Sequence, residues 1–172
     1  MGPDGPGDAV LVDAGVFDTG LLSLIEEQGY YLRHVLITHA HRAHLNGITT
    51  IRKVYDATIY CHDPGQVSFE AQAVQESQRL QLAGFEFQVI ETPGHSNDSV
   101  CYLHDQLLFT GDTLSAGMIG DTDTGFERAL LLASIRKKLL SLSGDLFVFP
   151  GHGPPTRLEV ERKTNPFLRD GE

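Results

Sequence analysis

Four apolar runs in this sequence each stop, within a few residues, at a histidine or an aspartate: HVLIT before His39, FQVIETPG before His95, LLFTG before Asp112 and DLFVFPG before His152. Short apolar runs bounded by turn residues read as buried strands, and strands that deliver ligand-type side chains at one common end build a metal cage. The first run leads into THAHRAH, which places His39, His41 and His44 on one short turn. Side chains at offsets of two and five in a tight loop can converge on one centre, a demand that purely structural roles rarely make. An isolated histidine has a blander reading, with its ring nitrogens satisfied locally. His34, His62 and His104 fall in that class.

A chain of 172 residues with 41% hydrophobic content suffices for one globular domain with a real core and is short for two. Residues 1–172 are therefore expected to form a single domain. The net charge of -10 argues against nucleic acid as a partner, because a phosphate backbone needs clustered Lys and Arg. No apolar stretch reaches membrane-spanning length, and MGPDGPGD has neither a basic segment nor a hydrophobic signal core. The expectation is a cytoplasmic protein with a small-molecule substrate and no membrane partner. Cys61 and Cys101 stand in apolar, strand-like surroundings, which predicts reduced core thiols.

AVLVDAG (9–15) reads as a buried strand that stops at a turn, after which Asp18 or Thr19 caps a helix that Gly29 ends. HVLIT (34–38) is the next strand, LNGITTIRKVY (45–55) the following helix, and ATIYC (57–61) another strand: a βαβ rhythm. The segment 65–80 is polar and Gln-rich, and both a short helix and a mobile flap fit it. From GFEFQVIETP onward the pattern alternates, and SVCYLHDQLLFTG predicts an antiparallel hairpin around His-Asp-Gln. Leu130, Leu131, Ile135, Leu139 and Leu140 recur at helical spacing over 127–142, with Arg136, Lys137 and Lys138 on a solvated face. DLFVFP is a last strand, and the tail from Leu158 is predicted to be helical until Pro166.

THAHRAHLNG (38–47), TPGHSNDSVCYL (92–103), LLFTGDTL (107–114), FPGHGPPT (149–156) and NPFL (165–168) together resemble the metallo-β-lactamase-fold hydrolase superfamily, and within it the small glyoxalase II-like (hydroxyacylglutathione hydrolase-like) branch. The resemblance implies an α+β fold: a four-layer αββα sandwich of two mixed β-sheets with metals at one edge. It also implies ligand roles, with His39, His41 and His95 around a first metal, Asp112 bridging to a second, and His44 and His152 completing that second site. Zinc, as one or two ions, is the implied cofactor, with iron and manganese as alternatives. A hydroxide held by such a centre is the implied nucleophile, and a second cation would polarise the substrate carbonyl.

Three positions depart from the family pattern His-x-His-x-Asp-His and its flanks. Ala43 stands where the motif aspartate belongs, and a methyl group neither ligates the second metal nor orients the attacking water. A natural, weakly active or inactive relative and a deliberate substitution both fit this change. Asp121 in MIGDTD stands where related small hydrolases often carry an arginine; Asp121 and Asp123 read as solvated turn residues. The Asp13-Ala14-Gly15 turn arrives early, so the first sheet is expected to be short of an N-terminal edge strand, which invites a homodimer. Asp13 is a candidate supporter of the ligands.

The resemblance thus implies a metal-dependent hydrolase of a thioester or related ester, impaired by Ala43. Glutathione specificity is unsupported, because that recognition resides in a C-terminal helical domain for which a chain ending at Glu172 has no room. A β-lactam substrate is weakly supported without a secretory route. Persulfide dioxygenases share the fold, and His39, His95 and Asp112 would be the two histidines and one carboxylate of their single iron. A metal-binding relative without turnover is the third reading.

Overall fold

The computed structural model describes residues 1–169, which fall into two compact units: Met1–Val74 with Arg79–Phe87, and Gln75–Gln78 with the chain from Gln88 onward. The last three residues of the predicted 1–172 domain lie outside the described residues.

In the first unit, strand β1 (Gly7–Val12) leads to helix α1 (Thr19–Glu27), strand β2 (Tyr30–Leu36), helices α2 (Arg42–Leu45) and α3 (Ile48–Val54), and strands β3 (Thr58–Cys61) and β4 (Gln72–Ala73). The strands lie in the order β1-β2-β3-β4, and each pair is parallel, as the βαβ rhythm requires. Asp18 is the cap of α1, its carboxylate accepting from the Leu21 amide, and Gly29 follows the helix at φ 69°. β1 is an end strand of its sheet, and its Val10 exchanges two backbone hydrogen bonds with Met1. Val35, Ile37, Ile48 and Ile51 are fully buried in the core beneath the sheet.

The single helix predicted over 45–55 is two helices. The Gly47 amide donates to the Ala14 carbonyl at 2.7 Å instead of continuing the helical ladder, and a Cβ at Gly47 would meet that same oxygen at 2.7 Å. Docking of the turn after β1 therefore decides where the helix breaks. The ambiguous segment 65–80 is neither one helix nor one loop: a 3₁₀ turn at Pro64–Gln66 precedes β4, and strand β5 (Arg79–Leu82) begins at its end. Ala83 and Gly84, both at positive φ, turn β5 into strand β6 (Phe85–Glu91).

In the second unit, β6 from Gln88 pairs antiparallel with β7 (Val100–His104), which turns at Asp105 into β8 (Leu107–Gly111), the predicted hairpin. A small hairpin of β9 (Leu114–Ser115) and β10 (Met118–Ile119) follows, then helix α4 (Gly125–Ser134), which widens into one π turn at Ile135–Leu139. Strand β11 (Phe147–Pro150) lies parallel to β8, β12 (Thr156–Arg157) runs antiparallel to β11, and helix α5 (Leu158–Thr164) follows. One parallel pair among antiparallel ones makes this sheet mixed. Thr124 and Glu127 form a reciprocal capping box at the start of α4.

Of the predicted apolar stripe on α4, Leu131, Ile135 and Leu139 are fully buried against Cys101, Leu108 and Val148, whereas Leu130 and Leu140 are only half-buried. Each fully buried side chain of this size is worth about 1.5–3 kcal/mol of transfer free energy. Arg136 and Lys137 face solvent, and Lys138 pairs with Glu76 at 2.7 Å. Cys61 and Cys101 are buried and not disulfide-bonded. Among the described residues no helix is long and apolar enough to cross a membrane.

Candidate metal centre

In the first unit, β2 delivers its C-terminal end to the histidine turn. His39 and His44 are buried, and His41 is exposed at the N-cap of α2. Asp13, immediately after β1, organises this cluster. Its Oδ1 accepts from the Thr38 amide at 2.8 Å, and its Oδ2 accepts from the Thr38 hydroxyl at 2.8 Å. A hydroxyl that donates to Asp13 has only lone pairs left for the His39 Nδ1 3.0 Å away, so that nitrogen carries the proton and Nε2 is the basic one. His44 Nδ1 lies 2.8 Å from Asp13 Oδ2 and donates to it, which again leaves Nε2 basic. Carboxylate support of this kind fixes ring tautomer and orientation at metal sites.

His39 Nε2 faces His41 Nδ1 at 3.0 Å. Two nitrogens held about 2.1 Å from a zinc ion at tetrahedral angles stand roughly 3.4 Å apart, so this spacing suits two ligands of one cation. Asp13 itself has φ 53°, a left-handed conformation that Asp adopts more readily than most residues. The turn can lie against α2 only because Gly15 follows: a Cβ there would be 2.3 Å from the Ala43 carbonyl oxygen. Ala43 is exposed, on the same short helix as His44.

In the second unit, His95 follows β6, Asp112 follows β8 and His152 follows β11. His95 Nδ1 donates to the Asp121 backbone carbonyl at 2.7 Å, which directs its Nε2 toward Asp112 Oδ2 at 3.8 Å. That separation is too long for a hydrogen bond and close to the span of two ligands on one ion. The other Asp112 oxygen lies 2.7 Å from His152 Nδ1. Beside these groups is a cavity of about 400 Å³, whose wall includes Ser115, Met118, Ile119 and Gly120.

Each predicted ligand thus belongs to one of two clusters: His39, His41 and His44 in the first unit, His95, Asp112 and His152 in the second. Donor chemistry fits a borderline cation, with imidazole nitrogens and one carboxylate. Asp123 is exposed as expected. Asp121 is exposed as well, and its backbone carbonyl accepts from His95 Nδ1, a role that leaves no mark in the side-chain pattern. Thr38 also escaped the sequence reading, although its place just before His39 between an apolar run and a ligand was a visible signal. His62 donates from Nδ1 to the Val74 carbonyl at 3.1 Å, and His104 Nε2 lies 3.6 Å from Asp105, both local roles. His34 Nδ1 is buried without a hydrogen-bond partner among the described residues, and burial holds its imidazole below the usual histidine range.

A family model described as the metallo-beta-lactamase superfamily matches residues 4–152. Hydroxyacylglutathione hydrolase GloC of Haemophilus influenzae is 31% identical over 187 residues, spanning 94% of this chain and 87% of that protein. Among solved structures, the BLEG-1 B3 metallo-beta-lactamase is similar with a TM-score of 0.85 at 32% identity, over 94% of this chain and 89% of the other. ETHE1 from Myxococcus xanthus gives a TM-score of 0.85 at 29% identity, over 96% and 76%. TTHA1623 in a di-iron-bound form gives 0.81 at 32% identity, over 92% and 89%. These likenesses show the α+β fold with mixed sheets that the sequence motifs implied.

Proposed function

This chain belongs to the metallo-beta-lactamase superfamily, and from that premise we propose that it is a metal-dependent hydrolase of a thioester or related ester. The observation that carries the reading is tautomer control. His39, His44 and His95 each have Nδ1 committed to an acceptor, through Thr38, Asp13 and the Asp121 carbonyl respectively, leaving Nε2 to bind a cation. Carried over from the family, His39, His41 and His95 hold the first metal, Asp112 bridges, and His44 and His152 hold the second. Residues 1–172 act in this reading as one domain.

Zinc in such a centre supplies an acidified water as nucleophile and a Lewis acid for the substrate carbonyl. The chain's own contribution is to hold the ligands neutral and oriented and to offer a cavity of about 400 Å³, which is within the range of small-molecule sites. Ala43 offers no acceptor for the water's proton and no charge for the second cation, so the second site binds weakly and turnover is slow. Likeness to a hydroxyacylglutathione hydrolase supports thioester chemistry.

Ala43→Asp tests the reading. Metal content of the purified protein, before and after the substitution, should rise toward two ions, and hydrolysis of a simple thioester should rise at least about 10-fold, since even indirect losses at metal sites cost about 10–100-fold. Unchanged occupancy and rate would remove position 43 from the centre.

The likeness to ETHE1 favours one other reading, a mononuclear iron persulfide dioxygenase using His39, His95 and Asp112. A missing carboxylate at Ala43 harms a one-metal site less than a two-metal one. Iron as the bound metal, with oxygen consumed in the presence of a persulfide, would replace the hydrolytic reading.

A further inference from the structure

The β9–β10 hairpin has two residue pairs only, Ser115 with Met118 and Leu114 with Ile119, around a turn whose Gly117 has φ 72°. A hairpin that short does not hold itself in water. What holds its tip is the buried carboxylate of Glu161 on α5, which is only 2% exposed. Glu161 Oε2 accepts from the Gly117 amide at 2.9 Å and from Asn165 Nδ2 at 2.8 Å, and Oε1 accepts from the Thr156 hydroxyl at 2.8 Å. Asn165, fully buried, also donates to the Met118 carbonyl at 3.1 Å. Burying a carboxylate is unfavourable unless hydrogen bonds replace its water, and here they do so by gripping the hairpin.

The grip reaches the site along the chain. Past Ile119, Gly120 lies so close to the ligands that a Cβ would be 2.4 Å from the Asp112 carbonyl oxygen and 2.9 Å from the His95 ring. The next residue, Asp121, gives the carbonyl that orients His95. On the cavity side the hairpin presents Met118, half exposed, and Ile119. The acidic groups on this wall are Asp112 and Asp121, and among its described lining residues there is no Lys or Arg. Apart from the proposed metal ligands, a carboxylate on an incoming acyl group finds no Lys or Arg counter-charge among the described residues of this wall and meets Asp121 instead.

We propose that the β9–β10 hairpin is the wall that selects the acyl group, favouring uncharged apolar acyl chains over carboxylate-bearing ones, and that Glu161 is the positioning residue that holds it. The selectivity rests on the hydrolase reading, whereas the positioning role does not.

Amide hydrogen exchange on the purified protein tests the positioning role. In Glu161→Ala, exchange across residues 115–121 should accelerate at least about tenfold while β7 and β8 keep their protection, and Glu161→Gln, which retains an acceptor, should restore most of it. Unchanged exchange at 115–121, or equal acceleration in β7 and β8 in either variant, overturns it. Matched butyryl and succinyl thioesters of N-acetylcysteamine test selectivity: the protein should favour butyryl at least about tenfold in kcat/KM, Glu161→Ala should erode that mainly through KM, and Asp121→Arg should shift it toward succinyl. Equal rates for the two thioesters, or an unaltered ratio in Asp121→Arg, overturns the selectivity. If neither thioester is hydrolysed the hydrolase reading and the selectivity fall together, and the exchange result alone decides the role of Glu161.

Discussion

Asp13 shows how one side chain can set the chemistry of two others. It accepts from the Thr38 hydroxyl and amide and from His44, and so fixes the proton position on both buried imidazoles of the first unit. Asp13→Ala should lower metal affinity by about 10–100-fold, read by competition with a chromophoric chelator, and Asp13→Asn should also lower it, because its one amide oxygen cannot replace both carboxylate oxygens and its NH2 would face the His44 Nδ1–H. The candidate ligands were legible in the sequence because His39, His95, Asp112 and His152 each follow an apolar run and His41 and His44 cluster with the first of them. The Asp121 carbonyl was not, since every residue has a carbonyl and only the fold aims one. His34 makes one pH-dependent contribution to stability. Burial holds its folded-state value below the ordinary one, so the unfolded chain binds the proton first as pH falls. Its neutral form therefore supports stability above about pH 6.5, and that support is lost progressively below it. The urea midpoint of the protein relative to that of His34→Phe should fall between pH 8 and pH 5.5, because only the chain with His34 takes up that proton on unfolding; a difference that does not vary with pH would mean His34 does not titrate on unfolding.

Elements were legible where a periodic pattern met its own packing partner. The stripe on α4 predicted the buried face, and Leu131, Ile135 and Leu139 are indeed sealed into the core. The widening into a π turn at Ile135–Leu139 was not visible, because the periodicity of a few residues does not distinguish α from π winding. Ile135→Ala should destabilise by about 2–5 kcal/mol in chemical denaturation, the usual cost of truncating a fully buried aliphatic side chain; a loss under 1 kcal/mol would mean that the turn collapses to fill the space. The break between α2 and α3 shows the opposite limit. Helical propensity over 45–55 was real, yet the Gly47 amide found a partner at Ala14, more than thirty residues earlier in the chain. Tertiary contacts of that kind lie outside any local pattern.

At the scale of the whole chain, the fold could be named from ordered motifs, and the family match over residues 4–152 shows it. What the motifs could not supply was the hydrogen bonding: Thr38 and Asn165 lie within motifs that do not show what they bond, and Gly120 and Glu161 lie outside them. The proposed function needs His41 and His95 for the same first ion. Calorimetric titration of metal-free protein with zinc, alongside His41→Ala and His95→Ala, tests this most directly. If the first ion needs both residues, each single variant loses the same tightest binding event, by a similar factor. Two tight events that vary independently, His41→Ala removing one and His95→Ala the other, would contradict it.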